Sequence, residues 1–359
     1  MIKKIDWYII KKFLGTFFLA LALIIVIAVV FDISEKMDDF LERKAPLRAI
    51  VIDYYLNFIP YFANLFSPLF VFISVIFFTA RLAANTEIVA ILNSGVSFNR
   101  MLRPYFIGAS FLAFLSFVLN SFIIPHANET RLAFENKYIK NPVEFRDRDL
   151  HRQLAPGIFM YLQSFNNREN AGLRFSLEKI VDGKRTWFLN SDRIVWDSLQ
   201  QKWNIENYYI RTIGDETETL KSGAILDTTL PFTPADFKRR VNIIDAMDTP
   251  QLNAFIAEQK LQGVSNLNSY LIELYKRYSF PIATFILTLM GVSISSKKVR
   301  GGIGAQLGVG IFLSFTYILF MQVSTTFATS GNFPPLLAVW IPNIVFTFIA
   351  IYLYKKAPK

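Results

Sequence analysis

Glu87 stands at the head of a short stretch, Asn85–Arg103 (NTEIVAILNSGVSFNRMLR), flanked on both sides by long uncharged apolar runs. Asn85 and Thr86 are good helix N-cap types, and an anion in a first turn is favoured by the helix dipole. Ile88, Ile91 and Leu92 fall at helical spacing on one face, which Gly95 ends. Ser97 can cap a second helix, anchored by Arg100 and Arg103. A carboxylate so placed can take a cation from a docking partner and receive force through it. The stretch can equally be a tight loop, and its residues alone leave both readings open. A second charged stretch is Asp32–Arg48, DISEKMDDFLERKAPLR. Its Lys36, Arg43 and Lys44 can meet phosphate or carboxylate groups of an amphiphile, or serve as solvated interface anchors. The adjacent Asp38 and Asp39 lie beside lysines, which favours solvated loop residues over a catalytic pair.

Other chemistry is thinly supplied. There is no cysteine, and His126 and His151 are the two histidines. That excludes disulfides, thiolate metal sites and cysteine nucleophiles, and leaves almost nothing for a zinc site. No GxxxxGK[ST] loop is present, so the chain binds no ATP through a P-loop. GGIG at Gly301–Gly304 follows the basic SSKKVR and reads as a loop with close helix packing; Gly304 and Gly308 form a small-xxx-small pair. No HExxH or GxSxG constellation occurs. The expectation is a protein that is not an enzyme and carries no metal or cofactor of its own.

The elements that position these residues follow from composition. At 359 residues with 53% apolar, 16% aromatic and 18% charged content, the chain is too apolar for an ordinary soluble protein. Its net charge of +10 lies beside apolar runs, which points to topology and lipid headgroups rather than nucleic acid. Phe13–Phe31 is long enough to span a bilayer and lacks a small-residue cleavage pattern, so it reads as a retained helix rather than a signal peptide. Tyr54–Ala80, Pro104–Pro125 and Tyr278–Ser296 follow. Gly301–Tyr354 is long enough for two spans, turned by TTFATSGNFPP. These runs carry no Asp, Glu, Lys or Arg, which argues against a self-powered secondary transporter. Lys3, Lys4, Lys11, Lys12, Arg81, Arg100, Arg103, Lys297, Lys298, Arg300, Lys355, Lys356 and Lys359 fall on one side, which places both termini in the cytosol.

The segment between helices 3 and 4 changes texture. GIFMYLQSF, AGLRFSLEKI, RTWFLNSDRIVWD and KWNIENYYIRTI alternate apolar and polar residues, with turns at NNREN, VDGK and SLQQK. That pattern predicts an all-β sandwich or jelly roll. Trp187, Trp196, Trp203 and Tyr209 can line a lipid site, but ordinary strand core is the better reading of each. DTPQLNAFIAEQKLQ then returns as a helix. The expected divisions are 1–125, with the short helix near 85–95; 126–269, the outer β domain and return helix; and 270–359.

IDWYIIKKF at the start, TEIVAILNSGVS, IPHANETR after helix 3 and NFPPLLAVWIP before helix 6 together resemble the lipopolysaccharide export permeases, the LptF/LptG family. The first and last of these look nearer to the LptG member. The resemblance implies a six-helix α-helical membrane protein of the Gram-negative inner membrane, with a periplasmic β-jellyroll-like domain inserted between helices 3 and 4. It implies lipopolysaccharide as substrate, and three kinds of partner: a dimeric cytosolic LptB-like ATPase that binds the ATP and Mg, a second, LptF-like permease, and a single-span LptC-like protein. By position, Glu87 matches the acidic residue of the family's coupling helix, which also holds Ile88, Ile91, Leu92 and Gly95. Lys36 falls where the family places basic lipid contacts; Arg43, Lys44 and Arg131 are looser matches. Helices 1 and 5 correspond to lateral gates, with Gly304 and Gly308 as gate packing. Alternatives are the sister LptF-type subunit, an exporter of another envelope lipid, or a non-transport receptor or scaffold with a ligand-binding β domain.

Overall fold

The computed structural model describes residues 3–139, 148–166, 169–214, 217–234, 243–261, 267–297, 302–331 and 333–357. Lys298, Arg300 and Lys359, counted above for topology, and Gly301 of the GGIG loop lie outside the described residues.

Six helical stretches are long and apolar enough to cross a membrane. The first, α1, runs Lys4–Glu42 over 39 residues. At 1.5 Å per residue that is about 58 Å, nearly twice a hydrocarbon core of ~30 Å. Its last turns, with Asp32 and Lys36, therefore extend past the uncharged stretch. The second span joins α2 (Leu47–Ala49) to α3 (Leu56–Ala84) through a π-helical segment, Ile50–Tyr55. The short α4 (Glu87–Asn93) follows. Then α5 (Phe98–Val118) runs through a second π-helical segment, Leu119–Ile123, into α6 (Ile124–Tyr138). Pro125 accounts for that widening, because it has no N–H for the Ser121 carbonyl and its ring would collide with it. After the β domain come α7 (Thr249–Leu261), α8 (Leu267–Ser295), α9 (Gly302–Thr329) and α10 (Pro335–Lys356).

Within the helical unit, α3 and α8 are the most enclosed spans, whereas α1 and α9 leave most of their apolar surface outward. One core joins α1, α3, α4 and α5 through Phe13, Phe17, Val75, Phe78, Ile88, Met101 and Tyr105. A second joins α3, α8, α9 and α10 through Phe72, Ile76, Leu287, Met290, Tyr317 and Phe346. Lipid tails are as apolar as leucine, so interhelical polar contacts help to set which helices meet. Thr79 and Tyr105 share a 3.0 Å hydrogen bond. The Tyr317 hydroxyl donates to Asn343 Oδ1 at 2.8 Å, and Asn343 Nδ2 donates to Ser279 Oγ at 2.8 Å, tying α8, α9 and α10 together.

The inserted unit is a six-stranded antiparallel sheet whose neighbours follow chain order. Its strands are β1 (Arg148–Ala155), β2 (Ile158–Asn166), β3 (Ala171–Val181), β4 (Lys184–Asp197), β5 (Lys202–Ile213) and β6 (Glu218–Thr228). Consecutive pairing follows from short turns. In VDGK both Asp182 and Gly183 take positive φ, 51° and 76°, as the tightest hairpin turns require. One face is closed by Met160, Leu162, Phe175, Leu189, Ile194, Trp203 and Ile205 with Phe232. Trp203 donates its indole N–H to the Phe232 carbonyl at 2.8 Å, which satisfies the polar handle of a buried ring. Trp187 and Trp196 pack at the margin of this core, as strand-core residues do. Tyr209 differs: it faces outward, where its hydroxyl accepts from Asn190 Nδ2 at 3.1 Å.

Candidate functional site

The short helix α4 lies where α3 ends and α5 begins, and its flanking residues explain its length. Asn85 closes α3, and Thr86 turns the chain in the left-handed region at φ 62°. Thr86 takes the N-cap position, but its hydroxyl donates back to the Asn85 carbonyl at 2.6 Å and caps nothing. The expected N-cap is therefore a turn residue instead. Gly95, at φ 83°, ends the helix, and Ser97 Oγ accepts from the Arg100 N–H at 3.3 Å to start α5 as expected.

Glu87 sits in the first turn of α4. Its Oε2 accepts from the Tyr8 hydroxyl at 3.2 Å, and its Oε1 from Asn85 Nδ2 at 3.3 Å. Both partners are neutral, and among the described residues no Lys or Arg forms an ion pair with it. The carboxylate is thus held without a direct ion pair, with the Arg81 charge felt at the Tyr8 hydroxyl beside it, and can still attract a partner's cation. The apolar face of α4 packs on its own bundle. Ile88 is 1% exposed within the core of α1, α3 and α5, and Ile91 and Leu92 pack against the same core. These residues seat α4 on its own bundle, Ile88 wholly and Ile91 and Leu92 in part. The outward face is Val89, 48% exposed, with Ala90 and Asn93.

Beside this helix lies an ion pair that no local pattern announces. Arg100 Nη1 and Nη2 donate to the two Asp6 carboxylate oxygens at 2.7 and 2.6 Å, a bidentate fork. Asp6 is 3% exposed and also accepts from the Lys3 N–H at 2.8 Å. The fork fastens the start of α1 to the start of α5. The signal for it was a lone acid inside the basic IKKIDWYIIKK, but the partner lies 94 positions away.

The far end of α1 holds the expected lipid-contact cations, and the structure separates them. Lys36 is not free. Its Nζ pairs with Asp32 Oδ1 at 2.8 Å, donates to the Tyr54 hydroxyl and lies 4.7 Å from that ring's centroid. Tyr54 and Tyr55 donate in turn to Asp32 at 3.2 and 3.0 Å. These groups rest on an aromatic cluster of Phe40, Tyr54, Tyr55, Phe58 and Phe134. Lys36 is therefore neutralised within the chain, a pairing of residues four apart on one helix that the sequence displays but does not decide. Arg43 is exposed and donates to the Lys137 carbonyl at 3.4 Å. Lys44 follows the helix end at φ 52° and is exposed. Arg131 lies on α6 with its guanidinium 5.0 Å from the Tyr61 ring centroid and Nε 3.8 Å from Glu135. All four cations belong to segments around that aromatic cluster, with Arg43 and Lys44 the accessible ones.

Sequence reasoning missed a polar chamber in the same helical unit. A cavity of about 130 Å³ is lined by residues of α3, α6 and α8 that include Tyr61, Asn64, Asn128, Glu273 and Arg277, and by Asp245. Arg277 is 3% exposed and donates to the Met247 carbonyl at 2.8 Å and to Thr249 Oγ1 at 3.2 Å. Asn128 Nδ2 donates to the Asp245 carbonyl at 2.9 Å. Residues 245–249 are thereby clipped to α6 and α8. Burial, aided by Glu273, pushes the Asp245 carboxyl up to about 7, against the opposing pull of Arg131, Arg277 and Lys276.

Among the described residues Gly304 and Gly308 make no close packing, since a Cβ at either would meet nothing within 4 Å. Close approaches within the helical unit are at Gly310, where a Cβ would collide with Ile76 Cδ1, at Gly108, 2.6 Å from Phe13 Cδ1, and at Gly291, 2.8 Å from Val75 Cγ1. Among the described residues no group of three or more His, Asp or Glu side chains can hold a metal ion.

Comparison with curated proteins returns no match. Comparison with protein families matches residues 7–356, nearly the whole chain that folds into these six spans and the inserted sheet, and on that match the protein belongs to the lipopolysaccharide export system permease LptF/LptG family.

Proposed function

We propose that this permease is the LptG-type subunit of an ATP-driven exporter that extracts lipopolysaccharide from the inner membrane of a Gram-negative bacterium. The lipid would pass to a periplasmic bridge towards the outer membrane. In this reading both termini and α4 are cytosolic and the sheet is periplasmic. The chain is not itself an enzyme and needs no cofactor. ATP and Mg belong to a dimeric LptB-like ATPase on which α4 docks. An LptF-like permease completes the lipid cavity, with Gly304 and Gly308 of α9 facing it as gate surface, and a single-span LptC-like protein joins the assembly. Assignment to LptG rather than LptF rests on the IDWYIIKKF and NFPPLLAVWIP segments.

The observation that carries this reading is Glu87, an acid held by neutral donors alone at the head of a helix whose apolar side is fixed to the bundle. Such a group is a rigid contact point for a cationic groove, and force on it reaches α1 and α5 through Ile88 and the Asp6–Arg100 fork. The test is purification of the full chain from its native membrane, with identification of associated proteins and lipid. An ATPase and a second six-helix permease are expected to co-purify, and Glu87→Arg is expected to keep the fold while abolishing export. Normal export by that variant would overturn the role of Glu87. Recovery of the chain without ATPase or second permease would favour a receptor or scaffold.

A further inference from the structure

At the membrane end that carries the chain's basic termini, α5, α8 and α10 enclose a groove of about 400 Å³ lined by Asn99, Leu102, Arg103, Phe106, Leu289 and Tyr354. Its floor is apolar. The rings of Phe106 and Phe285 stack with centroids 6.3 Å apart and planes 13° apart, continuing the Leu289 wall one turn deeper towards the bilayer centre. Its rim is polar. The Tyr354 hydroxyl donates to Asn99 Oδ1, fixing one corner, and Arg103 stands one turn along α5 from Asn99. Arg103 is exposed, and among the described residues no acid pairs with it, in contrast to Arg100 in the same turn. Among the described residues no carboxylate lines the groove, and Lys355 and Lys356 follow Tyr354 at the end of α10.

We propose that this groove binds one anionic phospholipid, with an acyl chain along Leu102, Phe106 and Leu289 and the phosphate at Arg103. The argument is charge complementarity placed at the depth where a headgroup lies. An apolar trough that opens to hydrocarbon takes an alkyl chain at no desolvation cost. An unpaired guanidinium at its mouth, at the membrane end shared with the lysines that finish α10, favours a headgroup that carries net negative charge. A zwitterionic lipid would bring its own ammonium into the same cationic rim. The site is separate from the Lys36 cluster, which lies at the opposite end of α1, and does not depend on which lipid the protein exports. Assignment to the cytosolic leaflet rests on the orientation proposed above.

The test is native mass spectrometry and thermal melting of the full-length protein, delipidated and titrated separately with dioleoylphosphatidylglycerol, dioleoylphosphatidylcholine and inorganic phosphate. Wild type is expected to retain phosphatidylglycerol and to melt higher with it, with little response to phosphatidylcholine. Loss of one cation near the surface should weaken phosphatidylglycerol binding about fivefold in Arg103→Ala. Arg103→Lys should recover most of it and Arg103→Glu should abolish it. Equal retention by wild type and Arg103→Ala, or no preference over phosphatidylcholine, would overturn the proposal. Inorganic phosphate that protects as well as phosphatidylglycerol would overturn it too, because the groove would then be a simple anion site. Melting of the variants without lipid separates loss of the site from loss of the fold. The exporter reading above stands or falls independently, on Glu87 and co-purification.

Discussion

At Asp6 a carboxylate is withdrawn from water and held by a guanidinium that is itself partly exposed. Removing the arginine leaves the acid with one backbone donor and only the weaker field of Lys3, which is the costly way to break such a pair. Arg100→Ala is expected to lower the melting temperature, by less than loss of a fully buried pair would, because the guanidinium keeps water around it. Asp6→Asn combined with it should cost less than the sum, and a double-mutant cycle on thermal melting checks this. Asp245 poses the opposite case. Its folded-state value of about 7 lies above the ordinary 3.8, so the folded protein prefers the protonated acid. Its contribution is complete below about pH 4 and is lost as pH rises towards and past 7. Stability is therefore expected to fall between about pH 4 and 7, by roughly 1–2 kcal/mol for a carboxyl that keeps partial access to water. Asp245→Asn should flatten that dependence. A wild-type melting point that rises over the same range would contradict the burial of this carboxyl.

Among the elements, α4 shows how one short helix divides its two sides. Its seven residues are too few to be stable alone, so the helix persists because Ile88, Ile91 and Leu92 are packed on the bundle. Ile88→Ala is expected to cost about 2–4 kcal/mol, since it empties a fully buried site. Val89→Asp on the outward side should leave melting unchanged and weaken capture of the ATPase in pull-downs. If the two substitutions exchanged effects, the assignment of faces would be wrong. Helix packing follows the same division. The spacing of Gly304 and Gly308 marks a surface for close approach, but it carries no information on whether that surface meets this chain or another. Gly310, four residues from Gln306 and buried against Ile76, takes the internal role.

For the whole molecule, absence of cysteine makes topology directly measurable. Leu199→Cys lies in the β4–β5 turn at a position 96% exposed, and Asn93→Cys ends α4 on its exposed side. With a membrane-impermeant maleimide on cells with a permeable outer membrane, residue 199 is expected to label and residue 93 only after lysis. The reverse pattern would invert the proposed orientation and remove α4 from contact with any cytosolic ATPase.

Features that repeat along the chain were legible in the sequence. The six spans follow from uncharged length, the inserted strands from two-residue alternation, the hairpin at VDGK from residues that tolerate positive φ, and α4 from Glu87, helical spacing and Gly95. All of these are local, and the backbone needs no distant partner to express them. The tertiary structure decided what depends on distant residues. It gave Asp6 to Arg100, neutralised Lys36 through Asp32 and Tyr54, turned Ile88 inward and Val89 outward, and gathered Asp245, Glu273 and Arg277 around one polar cavity. A charge or an apolar side chain looks the same in sequence whether it is satisfied internally or left for a partner. The difference is made by which groups the fold brings within hydrogen-bonding distance, and that is set by packing between helices rather than by any one of them.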